Sequence, residues 1–223
     1  MPRRSPNPHT PAGERILTTA ADLFYQRGIR GVGVDLIADQ AGVTKKTLYD
    51  RFGSKDALVA AYLTRRHERW VTWFGERLAA RGAAGSGAGS ARGVDQVVAA
   101  LELAEEWAQE NERGCAFVNA HGEIGGSEHP GNAVILADKL YMLGVFTDLL
   151  RDAGRPDAEE LGAQVHLLYE GAMVAYTTRA QPNAFAAARA AARGCSRPPA
   201  EAATRRGLPP RLLRAILLTV PVR

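Results

Sequence analysis

The chain contains 223 residues with a formal net charge of +4, a length sufficient for one large or two modest domains with a sizeable core. Its two cysteines, Cys115 and Cys195, lie far apart without a histidine at metal-ligand spacing, which excludes a disulfide framework and a zinc site. The sequence has no secretory signal and no apolar run of about eighteen residues. We therefore expect a cytoplasmic protein with no membrane partner, no metal and no cofactor.

Charge is distributed unevenly along the chain. Residues 1–55 hold nine Lys or Arg against five Asp or Glu, residues 56–188 hold eleven against eighteen, and residues 189–223 hold eight against one. The cationic surface therefore belongs to the two ends, and the acidic middle is unsuited to binding a polyanion. No stretch alternates apolar and polar residues with period two, so we expect an all-α fold without a sheet.

The first segment, residues 1–12, contains four prolines and the pair Arg3-Arg4, which predicts a flexible basic arm. Two interpretations of this arm stay open: a solvated tail, or arginines that contact DNA phosphates or a minor groove. A first helix is then predicted from about Gly13 to Arg27, ended by the following glycine. Its buried face is expected to hold Ile16, Ala20, Leu23 and Phe24.

Residues 34–55, VDLIADQAGVTKKTLYDRFGSK, have the pattern of two short helices joined by a tight turn at Gly42, a helix-turn-helix. The second helix is expected to begin at Thr44, whose hydroxyl can cap the first turn, and to end at Gly53. Cations and hydroxyls at a helix N-terminus suit phosphates and base edges. The residues predicted to contact DNA are Thr44, Lys45, Lys46, Thr47, Tyr49 and Lys55.

A long helix is predicted from Lys55 to about Ala80, because apolar residues recur there at helical spacing. Residues 81–93, RGAAGSGAGSARG, are expected to form a Gly-rich connecting loop, since they offer few side chains to pack. This loop lacks the GKS or GKT ending of a nucleotide-binding loop, which argues against phosphate binding.

Five further helices are predicted near residues 94–108, 115–123, 132–153, 158–179 and 183–193. The acidic face of the first, which includes Glu102 and Glu106, is interpreted as solvated rather than as a metal site. The stretch from Leu140 to Phe146 is apolar nearly all round, which indicates a helix buried on several sides. Residues 196–223 carry five prolines and a basic charge. They are either a loosely packed extension or an additional DNA- or partner-binding segment.

Short motifs between residues 14 and 63 are spaced as in a known DNA-binding signature. They are Ile37-Ala38, Ala41-Gly42-Val43, Thr47-Leu48-Tyr49, Phe52 and Ser54-Lys55. In this spacing the segment resembles the TetR family of bacterial transcriptional regulators. The chain departs from the family pattern twice. Val32-Gly33 replaces a usual Thr-Thr or Thr-Ser, and Lys46 stands where glycine is common, which predicts a DNA preference of its own.

The resemblance implies a three-helix helix-turn-helix DNA-binding domain followed by a larger helical ligand-binding and dimerisation domain. We accordingly expect the DNA-binding domain in residues 13–55 and the regulatory domain in residues 56–195, between the basic arm and the basic tail. The resemblance also implies a homodimer formed through the last two helices, residues 158–179 and 183–193. Such a dimer would bind double-stranded DNA at a palindromic operator as a repressor, and a small-molecule effector would release it.

An effector site is expected where aromatic side chains with occasional polar tips meet, because such a lining suits an apolar or aromatic ligand. For each candidate, ordinary core packing is the competing interpretation. The candidates are Trp107, Phe117, His121, Tyr141, Phe146, Tyr169 and Met173.

Other functions remain as alternatives. Cys115 would make the protein a redox-responsive regulator if its thiol were oxidised reversibly. A nonspecific architectural DNA-binding protein would fit the basic ends but leaves the acidic, aromatic-rich middle without a role. An enzyme is not expected, because the sequence has no GxSxG, no HExxH and no nucleotide-binding loop. We therefore predict no catalytic residues.

Overall fold

The computed structural model describes residues 6–84 and 89–195. The arginines of the predicted arm, residues 85–88 and the predicted tail 196–223 lie outside this part of the chain. Within it, the backbone forms nine α-helices and no strand, which confirms the predicted all-α fold class. No helix there is both long and apolar enough to cross a membrane. The helices are α1 (Pro11–Arg27), α2 (Val34–Gln40), α3 (Lys45–Phe52), α4 (Lys55–Ala84), α5 (Gly89–Glu110), α6 (Ala116–Ile124), α7 (Gly131–Asp152), α8 (Ala158–Thr177) and α9 (Ala184–Cys195).

The first three helices are defined by local signals in the sequence. The side chain of Thr10 accepts a hydrogen bond from the backbone N–H of Gly13, and Pro11 stands in the first turn, where its missing N–H is not needed. Gly28 ends α1 with a φ of 80°, which a residue with a side chain rarely adopts. Ile16, Ile37 and Leu48, one from each helix, are fully buried together, so the three helices share one core.

Helix α4 takes part in two hydrophobic cores. Its first half packs Leu58 and Tyr62 into the core of α1–α3, and this core also receives Phe117 and Ile124 from α6. Its second half packs Trp70 and Phe74 into a second core built with α5, α7, α8 and α9. A single 30-residue helix therefore connects both cores, and α6 belongs to the one that supports the helix-turn-helix.

The predicted Gly-rich loop at residues 81–93 is largely helical instead. Helix α4 continues to Ala84 and α5 begins at Gly89, so the connection between them is much shorter than predicted. Alanine is the strongest helix former, and each glycine opposes a helix by only about 1 kcal/mol. Arg81 also pairs with Glu102 at 3.2 Å and with Glu106, which holds the two helices side by side.

Two further expectations about packing need correction. Gly93 lies in the predicted connecting loop, but it is a packing residue. A Cβ there would lie 2.3 Å from the Cβ of Ala153, so glycine permits close packing of α5 against the end of α7. Helix α7, expected to be buried on several sides between Leu140 and Phe146, also has an exposed face. Met142 and Phe146 are fully buried, whereas Leu136 is 60% exposed and Leu140 is 55% exposed. One face of α7 thus remains apolar and accessible.

Candidate functional site

Helices α2 and α3 are joined by a turn in which Gly42 has a φ of 63°. Thr44 caps α3: its Oγ1 accepts a hydrogen bond from the backbone N–H of Thr47 at 3.1 Å. Gly53 ends α3 with a φ of 77°, and the buried Leu48 and Phe52 fix the inner face of the helix. These features leave the opposite face of α3 towards solvent.

Five of the six predicted DNA contacts lie on the accessible side of α3. Thr44, Lys45, Lys46 and Tyr49 are exposed, and Thr47 is half-buried. The Nζ atom of Lys45 lies 2.9 Å from Oδ1 of Asp35, and that of Lys46 lies 2.6 Å from Oδ2 of Asp50. The hydrogen bond that Lys45 donates to Asp35, together with the negative charge of that carboxylate, raises the pKa of Lys45, which keeps its ammonium protonated. Exposed ion pairs of this kind are weak and leave both ammonium groups accessible to phosphate.

Lys55, the sixth predicted contact, has partners inside the protein. Its Nζ donates a hydrogen bond to the backbone carbonyl of Ile29 at 2.7 Å and lies 5.9 Å from the centre of the Phe24 ring. Lys55 therefore fixes the loop between α1 and α2 against the start of α4. The sequence did not suggest this role, because Ile29 lies 26 residues away.

A carboxylate on α6 holds the same loop, and we call this contact the Glu123 bridge. Oε1 of Glu123 accepts a hydrogen bond from the backbone N–H of Ile29 at 2.8 Å, and Oε2 accepts one from that of Arg30 at 2.6 Å. Gly28 allows this approach, since a Cβ there would lie 3.0 Å from Oε1 of Glu123. Sequence reasoning missed Glu123, whose partners lie more than ninety residues away.

Two other contacts join the loops on either side of α6 to α1 and α4. The hydroxyl of Tyr25 on α1 donates to the carbonyl of Gly114 and accepts from the N–H of Arg113, both at 3.1 Å, in the loop before α6. The Nε2 atom of His129, in the loop after α6, lies 3.4 Å from Oδ1 of Asp56 on α4. Helix α6 is thus held against the first half of the chain at both ends.

A small cavity lies among α4, α5, α6, α7 and α8. The space that a water molecule can occupy in it is about 20 Å³, which is room for about one water. Four of the seven predicted effector-binding residues line it: Trp107, Phe117, Tyr169 and Met173.

The other three predicted effector-binding residues do not line this cavity. Phe146 is fully buried behind it, with its ring centre 5.8 Å from that of Tyr169. Tyr141 packs edge-on against His67 at 5.8 Å. His121 is exposed on α6. Helical spacing could not assign these three side chains, because it does not show which face of each helix meets the cavity.

Comparison with known proteins decides the family. Residues 16–62 match the family model described as bacterial regulatory proteins, tetR family. The crystal structure of SCO4454, a TetR-family transcriptional regulator from Streptomyces coelicolor, aligns with a TM-score of 0.70 at 31% sequence identity, over 83% of this chain and 94% of that one. The chain belongs to the TetR family. It is therefore a DNA-binding transcriptional regulator, and its helix-turn-helix is the DNA-binding element of that family.

Other relatives of this TetR-family regulator agree. A putative TetR transcriptional regulator from Streptomyces avermitilis aligns with a TM-score of 0.65 at 26% identity, over 83% of this chain and 99% of that one. The HTH-type transcriptional activator FasR from Mycolicibacterium smegmatis is 42% identical over 58 residues, which is 26% of this chain and 26% of FasR. The match to the curated relatives thus spans about a quarter of their length.

The cavity of the regulator also contains polar groups that sequence reasoning missed, among them Arg66 and Asp138. Asp138 is almost fully buried, and its Oδ1 lies 3.0 Å from Nδ1 of His67. Burial raises the pKa of Asp138, although the hydrogen bond to His67 acts in the opposite direction. The adjacent charged residues Asp138 and Lys139, which precede the apolar stretch of α7, were the only sequence signal for this cluster.

Proposed function

We propose that this regulator is a repressor that binds a palindromic operator as a homodimer and is released by a small-molecule effector in the interior cavity. The observation that carries the proposal is the Glu123 bridge. It joins α6, which contributes Phe117 to the cavity, to the loop that supports the helix-turn-helix.

The predicted DNA contacts fit an operator-reading helix. A capped helix N-terminus favours anions, and Lys45 and Lys46 add two positive charges beside it. Their partners are surface carboxylates, which phosphate groups can replace. Tyr49 is 40% exposed on the same helix and can reach the DNA with its hydroxyl.

The accessible face of α8 supports a homodimer. Leu167 is 71% exposed and Val174 is 46% exposed, and the exposed Gly171 lies between them. Exposed alanines follow along the outer face of α9, at residues 186, 187 and 190. Small residues beside large apolar ones allow two helix pairs to approach closely. A two-fold dimer presents two recognition helices to successive major grooves, about 34 to 36 Å or a multiple apart.

Release of the DNA by an effector follows from thermodynamic linkage between the cavity and the helix-turn-helix. The cavity has room for only about one water molecule, so an effector must displace part of its wall. Movement of Phe117 would carry α6 with it, and Glu123 on that helix would then shift relative to Ile29 and Arg30. An effector that favours the displaced state lowers DNA affinity, and DNA lowers effector affinity by the same factor.

The test begins with an operator selected from random DNA. Lys45→Ala and Lys46→Ala are each expected to weaken operator binding. If the lysine contacts a phosphate, the magnitude of the negative slope of log affinity against log salt concentration should decrease by about 0.9. Arg151→Ala, at an exposed cation on α7, is the control and should change neither quantity. Uniform coating of random DNA, with no preferred site, would instead support a nonspecific architectural protein.

A second candidate function is control by oxidation of Cys115. Its Sγ lies 3.4 Å from the Nζ of Lys139, and the residue lines the cavity. Peroxide oxidises a cysteine at its sulfur atom, and this sulfur belongs to the wall of the cavity. Peroxide would then change operator affinity, and Cys115→Ser would abolish the change. A wild-type protein whose operator affinity is indifferent to peroxide excludes this candidate.

A further inference from the structure

Arg66 is an unneutralised cation at the cavity. Among the described residues, no salt bridge joins it to a carboxylate. Its Nη2 donates a hydrogen bond to Oδ1 of Asn111 at 2.7 Å. Its guanidinium lies 4.4 Å from the ring centre of Tyr25 and 5.6 Å from that of Trp107. A half-buried cation is normally paired, and neutral partners of this kind compensate its charge only in part.

The other charged side chains near the cavity have polar or oppositely charged partners beside them. Asp138 has His67 at 3.0 Å from Oδ1 and Lys139 at 4.0 Å from Oδ2. Lys139 in turn lies 2.9 Å from Oε1 of Glu170. The charge at this site that remains available to a ligand is therefore the positive charge of Arg66.

Most of the remaining lining is apolar. The rings of Trp70 and Trp107 lie 5.1 Å apart, and Phe117 and Met173 complete the surface beside them. Methionine is unbranched and flexible, so Met173 is the side chain best able to move aside for a ligand. Such a surface suits an aromatic or aliphatic body.

We propose that the effector is an amphipathic organic anion, whose carboxylate binds Arg66 and whose apolar body lies among Trp107, Phe117 and Met173. The planar guanidinium can bind a carboxylate through two parallel hydrogen bonds, which neither Asn111 nor a ring can provide. The inference rests on the proposed function only in treating this ligand as the effector.

The same contact reaches the DNA-binding half. An anion that takes the place of the Asn111 side-chain oxygen releases Asn111, whose Nδ2 donates to the carbonyl of Trp107 at 2.7 Å. It also draws the guanidinium away from the ring of Tyr25, whose hydroxyl holds the loop before α6. The anionic group thus acts on the loop before α6, and the displaced wall of the cavity acts on α6 itself.

Direct binding can be measured without DNA. The three tryptophans of the chain, Trp70, Trp73 and Trp107, have ring centres within 5.8 Å of one another, and Trp70 and Trp107 line the cavity, so their fluorescence reports occupancy. The probes are 4-phenylbutyrate, 4-phenylbutanamide and 4-phenylbutylamine, which share a body and differ in the terminal group. The carboxylate is expected to bind at least about tenfold more tightly than the amide or the amine.

Variants assign the preference to Arg66. Arg66→Gln should reduce carboxylate affinity to that of the amide, and Arg66→Lys should retain part of the preference, because it keeps the charge without the planar fork. Arg77→Gln is the matched control, since Arg77 lies 4.3 Å from the ring centre of Trp73 but does not line the cavity. If Arg66→Gln does not fold, as judged by circular dichroism, Arg66→Lys carries the test and must weaken carboxylate binding.

The proposal is overturned if the amide or amine binds as tightly as the carboxylate, if folded Arg66→Gln binds the carboxylate unchanged, or if millimolar carboxylate does not bind. Operator affinity is measured separately in the presence of 4-phenylbutyrate. Carboxylate binding through Arg66 that leaves operator affinity unchanged upholds the ligand class and contradicts release by that ligand. Operator release by the amide and carboxylate alike upholds effector release and contradicts the role of Arg66.

Discussion

Arg179, the second residue after α8, has a φ of 59°, a left-handed conformation that glycine adopts at lower cost. The other positive φ angles in the described part of the chain belong to glycines, such as Gly28 and Gly53. The backbone at Arg179 is therefore strained, and the strain follows directly from the residue type at that position.

Arg179→Gly should raise the free energy of unfolding by up to about 1 kcal/mol, because it removes the left-handed strain; the greater freedom of glycine in the unfolded chain offsets part of this gain. Urea denaturation measures the change. Gln164→Gly, inside α8, is the control and should lower the free energy of unfolding by about 1 kcal/mol. A loss of stability in Arg179→Gly would show that the arginine side chain makes a compensating contact.

Local residue roles were predictable, and distant ones were not. The cap at Thr44 and the helix end at Gly53 depend on neighbours within a few residues, and both are present as predicted. The partners of Lys55 and Glu123 are 26 and 94 residues away, so spacing along the sequence could not reveal them. Arg66 gave no signal either, since a cation on a long helix is usually solvated.

At the scale of elements, the Glu123 bridge makes α6 a support of the loop between α1 and α2. Glu123→Gln leaves a single acceptor oxygen where the carboxylate accepts two N–H groups, so one of them loses its partner. Hydrogen exchange of the Ile29 and Arg30 amides should therefore become faster. Exchange of the Thr47 amide, which Thr44 caps, should stay the same.

Glu128→Gln is the control for this exchange experiment, because Glu128 is exposed in the loop between α6 and α7. It should leave the amides of Ile29 and Arg30 as protected as in the wild type. Equal protection in Glu123→Gln would mean that the loop is held by Lys55 and by packing alone.

Helices α7 and α8 approach each other closely at Gly162. A Cβ there would lie 2.4 Å from Oγ1 of Thr147 and 2.9 Å from its Cα. Gly162→Ala should therefore destabilise the fold by about 1 to 3 kcal/mol, in spite of the higher helix propensity of alanine. Thermal and urea denaturation measure this change. Gly171→Ala on the same helix meets nothing within 4 Å, so it should not destabilise the monomer.

Helix positions were predicted more reliably than the connections between them. The periodic spacing of apolar residues predicted α7, α8 and α9 within a few residues of their observed bounds. The loop predicted at residues 81–93 was wrong because a lack of large side chains was taken to mean a lack of packing, whereas Gly93 lies where two helices pack closely. That role depends on Ala153, sixty residues away, and has no local signature.

At the scale of the whole molecule, the proposed homodimer makes a direct prediction. Leu167→Asp should give a monomer in sedimentation, because a charge replaces an apolar side chain at the centre of the proposed interface. Operator affinity should fall strongly, since both half-sites must be bound together. The fold should persist, because Leu167 is 71% exposed.

Val118→Asp is the control for dimerisation, since Val118 is also an exposed apolar residue but lies on α6. It should remain a dimer. If the Leu167→Asp protein stays dimeric, the interface does not include Leu167 and lies elsewhere on the protein. The exposed Leu136 and Leu140 on α7 would then be the next surface to test.

The sharing of α6 between the two halves limits how the regulator can be recombined. Residues 13–55 contain the complete helix-turn-helix, yet Phe117 and Ile124 complete its core from sixty or more residues downstream. A chimaera that joins this segment to an unrelated sensor would leave that apolar surface uncovered. Exchange of DNA specificity between relatives should therefore succeed when α4 and α6 are transferred together with residues 13–55. The same requirement restricts recombination of this segment during evolution.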